Sequence, residues 1–93
     1  MNEKETFYIK LKERLVSTTE FPSEYLYKFI VPSEGNQVMD IEKLFKGKSI
    51  KLNKKDSKTG KYVSVSIRVN LSSPDEVISY YKQAETIKGI ISL

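Results

Sequence analysis

The sequence contains no histidine and no cysteine. The first absence removes the commonest general base near neutral pH and the commonest metal ligand. The second removes a disulfide framework, thiol chemistry and tetrahedral Cys/His zinc. Serine and lysine are both abundant, so no pair stands out as a nucleophile with its base. Glycine is sparse, and the four at positions 35, 47, 60 and 89 are scattered as punctuation, with no glycine-rich phosphate loop. No apolar run approaches the roughly 18 residues that a membrane span needs. Residues 1–6 carry charges of both signs with no apolar stretch behind them, unlike a signal peptide. The expectation is a cytoplasmic protein that is not an enzyme and needs no metal or cofactor.

What is present is an ordinary balance for a globular chain: 93 residues, 39% hydrophobic and 30% charged. That length makes one domain, 1–93, with a small core. The clearest signal is the run from Tyr62 to Leu71. Val63, Val65, Ile67, Val69 and Leu71 alternate with Tyr62, Ser64, Ser66, Arg68 and Asn70. Period two with β-branched residues at the inner positions predicts a long strand over 61–71, buried on one side. Ser73-Pro74-Asp75-Glu76 follows at once and reads as a helix start, with Ser73 as N-cap, Pro74 at N1 and Glu76 closing a capping box. The acids Asp75 and Glu76 suit a helix first turn electrostatically, which explains them without catalysis or metal binding.

The remaining elements follow in chain order. Residues 4–18 predict a helix, with Phe7, Leu11 and Leu15 in a stripe that Tyr8, Ile9 and Val16 widen. That stripe needs a surface to pack on, either the protein's own sheet or another molecule. Residues 25–31 predict a central strand, with Tyr25, Tyr27, Phe29 and Val31 on one face and Leu26, Lys28 and Ile30 on the other. The tyrosines belong in the core with their hydroxyls reaching its rim. Residues 37–46 predict a helix through Val38, Ile41, Leu44 and Phe45, ended by Gly47. Residues 49–53 predict a short strand, 54–60 a polar turn region, 74–86 a helix, and 90–93 a last short strand. After the N-terminal helix, the order over 24–93 is β-α-β-β-α-β. That is the split βαβ, ferredoxin-like pattern: an α+β fold with a four-stranded antiparallel sheet and two helices on one face. Strands 25–31 and 61–71 form its central pair, and the lysine-rich strand 48–54 is an edge.

Phe21-Pro22, Tyr27-Lys28, the run Gly60-Lys61-Tyr62 with Ser64-Val65-Ser66-Ile67, and the closing hydrophobic strand resemble the YbeD-like family of small bacterial proteins of unknown function. The resemblance covers roughly residues 20–93. It implies the ferredoxin-like fold, similar to the ACT regulatory domain, and through that likeness a regulatory or small-ligand-binding role. The chain departs from the family pattern at Val31, where a glycine is usual. It departs again before Gly60, where Lys54-Lys55 replaces the usual proline.

Two surfaces are candidates for function. The first is the sheet face that the two core helices leave open, with Lys28, Tyr62, Ser64, Ser66 and Arg68 as its ligand or partner residues. It would take a small molecule, another protein or a second copy as a homodimer. The second is an anion patch. Lysines 43, 46, 48, 51, 54, 55, 58 and 61 crowd one stretch in which Asp56 is the single acid. Lys48, Lys51, Lys54, Lys55, Lys58 and Lys61 would attract an anion or a nucleic acid. The same lysines equally serve to keep an edge strand from pairing with other chains. RNA-recognition modules of this fold stack bases on aromatics of both central strands. Here Ser64 stands where a second aromatic would be needed beside Tyr62.

Overall fold

The computed structural model describes residues 2–93; Met1 of the expected 1–93 domain lies outside the described residues. The chain forms α1 (Glu3–Thr18), β1 (Ser23–Pro32), α2 (Gln37–Leu44), β2 (Ile50–Asp56), β3 (Tyr62–Leu71), α3 (Pro74–Ala84) and β4 (Ile91–Ser92). The four strands make one antiparallel sheet in the order β2-β3-β1-β4. With the extra helix α1 ahead of a β-α-β-β-α-β succession, this is the expected ferredoxin-like arrangement. Among the described residues no helix is long and apolar enough to cross a membrane.

The central ladder runs without interruption from Ser23 opposite Leu71 to Pro32 opposite Tyr62. Alternation therefore sorts both strands at once. Tyr27, Phe29 and Val31 of β1 and Val63, Val65, Ile67, Val69 and Leu71 of β3 are buried under the helices. Ile41 and Phe45 from α2, with Val77, Tyr81 and Ala84 from α3, complete the core. Its middle is aromatic. The Tyr27 ring meets Tyr81 at 4.9 Å between centroids and Phe45 at 5.5 Å, and Phe45 stacks on Tyr80 at 4.5 Å. These pairings add modestly to what burial of the rings already contributes.

The tyrosine hydroxyls depart from expectation. Tyr27 is fully buried, and its hydroxyl donates to the Val77 carbonyl at 2.8 Å instead of reaching the rim. Tyr25 does lie nearer the rim, and its hydroxyl sits 2.8 Å from that of Tyr81. Burial pushes the Tyr27 and Tyr81 hydroxyls above the ordinary tyrosine value, so both stay neutral donors.

Helix α1 packs on the helical layer and leaves the open face of the sheet uncovered. Leu15 is buried in the common core, and Tyr8 and Leu11 pack against it. The helix runs antiparallel to α3: Lys12 pairs with Asp75 at 2.8 Å near one end, and Lys4 and the Tyr8 hydroxyl meet Glu85 near the other. Burial of Tyr8, followed by its bond to Glu85, holds its hydroxyl above the usual range. Exposed ion pairs contribute about 0–1 kcal/mol each. Burying a leucine contributes about 1.5–3 kcal/mol. Apolar contact therefore holds α1 in place, and the ion pairs set its alignment. Phe7 of the predicted stripe, and Ile9 and Val16, which widen it, remain exposed.

Strand β2 extends to Asp56, past the predicted end at 53, because β3 offers it paired positions as far as Val63. Lys54, Lys55 and Asp56 are therefore strand residues and not turn. An edge strand needs no apolar alternation, so polar residues do not stop it. The tight turn lies at 57–61, closed by the Gly60 amide on the Ser57 carbonyl at 3.0 Å, with Gly60 at a positive φ of 73° that suits glycine. At the start of α3, Ser73 caps as expected and accepts from the Glu76 amide at 3.2 Å. The returning half of the capping box is displaced by one residue. The Glu76 carboxylate accepts from the backbone amide of Ser72 at 2.8 Å and pairs with Lys48 at 3.0 Å.

Leu15→Ala lowers the unfolding free energy by about 2–3 kcal/mol through the cavity it leaves, and Lys12→Ala lowers it by under about 0.5 kcal/mol. Urea titration checks both, and a Lys12 effect equal to that of Leu15 contradicts the apolar account of α1. The Ser72 amide and the Lys48 ammonium hold the Glu76 carboxyl below its ordinary value of 4.5. Its contribution is therefore complete above that value and is lost as pH falls through the lower, folded-state value. The urea midpoint of the native protein falls between pH 5 and pH 3 by more than that of Glu76→Gln. Parallel pH profiles for the two proteins contradict the assignment.

Candidate binding face

The open face of the sheet is built by the residues that alternation turns away from the helices. Three rows cross it. Lys51 of β2 lies beside Arg68 of β3 and Leu26 of β1; Asn53 lies beside Ser66 and Lys28; Lys55 lies beside Ser64 and Ile30. Strand β4 continues the last row with Ile91 opposite Ile30, and the Leu93 amide donates to the Lys28 carbonyl at 2.9 Å. Successive rows are two residues apart, which is about 6.6–6.8 Å along a strand.

Four of the five expected partner residues fall together here. Lys28, Ser64, Ser66 and Arg68 share the middle of the face, and Lys28 and Ser66 are directly opposed. The small serines leave a shallow groove of about 390 Å³, bordered by Lys28, Asn53, Lys55, Ser64, Ser66 and Leu93. Tyr62 stands apart. It is the last residue of the ladder, opposite Pro32, and its half-exposed ring lines a separate recess with Ser33, Glu34 and Lys61. The amide of Ser33 donates to the Lys61 carbonyl at 2.9 Å and ties the two loops that frame that recess.

The lysine patch, by contrast, is divided. Lys51 and Lys55 join the open face. Lys54 is opposite Val65, whose side chain is buried on the other side, and it borders the groove only from the outer edge. Lys58 and Lys61 sit in and beside the tight turn. Lys48 is committed to Glu76 at the start of α3, on the helical side. The pattern that the sequence presents as one patch is three surfaces, because strand alternation and a turn separate neighbours in the chain.

The structure adds residues that sequence reasoning left out of the site. Ile91 and Leu93 are 51% and 69% exposed, and with Leu26 and Ile30 they make an aliphatic stripe along β1 and β4. Alternation within Ile90-Ile91-Ser92-Leu93 hints that 91 and 93 share a side, but only the pairing with β1 says which side that is. On the same face Glu24 pairs with Arg68 at 3.4 Å and is the single acid among its described strand residues. The face is thus divided lengthwise. Cations and small polar groups occupy β2 and β3, and aliphatics occupy β1 and β4, except that Lys28 stands in β1 between Leu26 and Ile30 and Glu24 lies near its start. The arrangement can desolvate an apolar surface on one side and pair with anions on the other.

No curated protein and no solved structure matches this chain. The family described as "Protein of unknown function (DUF493)" matches residues 17–92, which covers all of the sheet and its two core helices and stops short of most of α1. The chain belongs to that family, the YbeD family of small bacterial proteins.

Proposed function

We propose that this protein is a non-enzymatic binding module whose working surface is the open face of its sheet. The observation that carries this reading is the aliphatic stripe of exposed Leu26, Ile91 and Leu93 with half-buried Ile30, set beside Lys28, Lys51, Lys55 and Arg68, while all three helices pack on the other face. A lone exposed aliphatic needs no explanation, but several gathered on one face beside charge are the ordinary form of an interaction site. A protein partner uses both halves of such a face. The likeness of the fold to ACT domains supports a small-ligand version of the same reading, in which the groove over Ser64 and Ser66 would hold a carboxylate between Lys28 and Lys55.

Nucleic-acid binding, or anion binding by the lysine-rich 43–61 hairpin as one patch, has less in its favour. The groove contains no aromatic platform for bases. Tyr62 lies in its own recess, and Lys48 is already paired.

A photoreactive amino acid placed at Leu26 or Ser64 tests the reading in living cells. The expected result is a discrete adduct of higher mass from both positions, and none from the same residue placed at Glu13 on the exposed side of α1. Equal labelling from all three positions, or none from the open face, contradicts it.

A further inference from the structure

Resting on that reading, we infer that the partner of the open face is a protein helix with an apolar face and an acidic flank. Three features converge on it. The first is shape. Leu26 and Ile30 are four residues apart on β1, about 13 Å along the strand, and Ile91 and Leu93 lie alongside on β4. Two adjacent strands are about 10 Å wide, which is the diameter of one helix with its side chains. Two to three helical turns therefore cover the stripe. Second, a sheet whose other face carries helices has one layer to spare, and a helix laid on it completes a three-layer sandwich.

Charge complementarity is the third and decides the partner's chemistry. A helix seated on β1 and β4 presents one flank toward β3 and β2. That flank meets Arg68 of β3 and, one strand further, Lys51 and Lys55 of β2, with Asn53 and the two serines between them, while Lys28 stands in β1 itself between Leu26 and Ile30. Glu24 offsets part of the Arg68 charge and leaves the three lysines for the partner. A basic helix is repelled by this flank. A second copy of this chain, seated on the face by twofold symmetry, would bring the same lysine-bearing half against its equivalent or leave it unpaired. A single-stranded nucleic acid would satisfy the lysines but leave exposed Leu26, Ile91 and Leu93 uncovered. Glutamates spaced at i and i+4 reach the cationic rows, while leucines at the neighbouring helical positions cover the stripe.

The test uses the full chain, labelled with 15N, and three probes at low salt. One is a helical peptide of about 18 residues built from Leu, Ala and Glu, long enough to form a helix on contact. The second has Lys in place of Glu. The third is a single-stranded oligouridylate. The expected result is amide shifts with the Glu peptide alone, clustered at Leu26, Lys28, Ile30, Ser64, Ser66 and Arg68. Lys28→Glu with Lys55→Glu weakens that binding by about tenfold or more, as reversal of two interfacial charges should. Lys58→Glu with Lys61→Glu, at the distant turn, leaves it within about twofold. Both double variants keep the native thermal midpoint within a few degrees, since the changed side chains are exposed. The inference is overturned by no shift with the Glu peptide, by equal binding of the Lys peptide, or by shifts confined to the turn. It is also overturned if the oligouridylate alone binds. Cross-links from Leu26 and Ser64 in cells together with failure of the Glu peptide would leave the open face as the binding surface and remove only this partner class.

Discussion

The uninterrupted antiparallel ladder between β1 and β3 is the constraint on which the rest of the structure depends. Ten residues of each strand are paired, from Ser23 with Leu71 to Pro32 with Tyr62. Because side chains alternate strictly, that single register decides which residues form the core and which form the open face. A slip by one residue would bury Arg68 and Ser66 and expose Ile67 and Val65. The penalty for burying an unpaired charge together with the loss of apolar burial rules that slip out. The face proposed for binding is thus the necessary reverse side of the core.

The helices anchor to this ladder by different means. Helix α3 begins with a serine cap and a carboxylate that reaches back to Ser72, so its start is fixed relative to the end of β3. The buried hydroxyl of Tyr27 then ties the middle strand to the Val77 carbonyl in the first turn of α3. Lys48 reaches the same carboxylate from the segment after α2, which joins both core helices at one corner of the sheet. Helix α1 is added to the outside of α3 and owes its position to Tyr8, Leu11 and Leu15. Every helix lies on one side, and among the described residues no helix covers the open-face aliphatics of β1 and β4.

Much of this was legible in the residues. The alternation from Tyr62 to Leu71 and the Ser73-Pro74 start are local signals, and local signals survive folding. The strand order follows once those two are placed, because the crossovers have one preferred hand. What was not legible depends on contacts between residues distant in the chain. Nothing in the sequence says that Tyr27 sits deep enough to need an internal acceptor, or that Lys48 has Glu76 for a neighbour. The end of β2 was missed because Lys54, Lys55 and Asp56 have no alternation of their own; the partner strand extends it. Of the candidate site, the grouping of Lys28, Ser64, Ser66 and Arg68 was visible from periodicity. The division of the lysine cluster and the contribution of Ile91 and Leu93 required the pairing of β2 with β3 and of β4 with β1.

Binding by the open face requires that it be uncovered in the isolated protein while the opposite face is sealed. The most direct measurement is the relaxation of methyl NMR signals by a soluble paramagnetic agent, taken across a range of protein concentrations. The predicted result is strong broadening at Leu26, Ile91 and Leu93, protection at Val65, Ile67 and Leu71, and no change with concentration. Protection of the first group at all concentrations would show that face already occupied, by α1 or by a second copy, and would contradict the account.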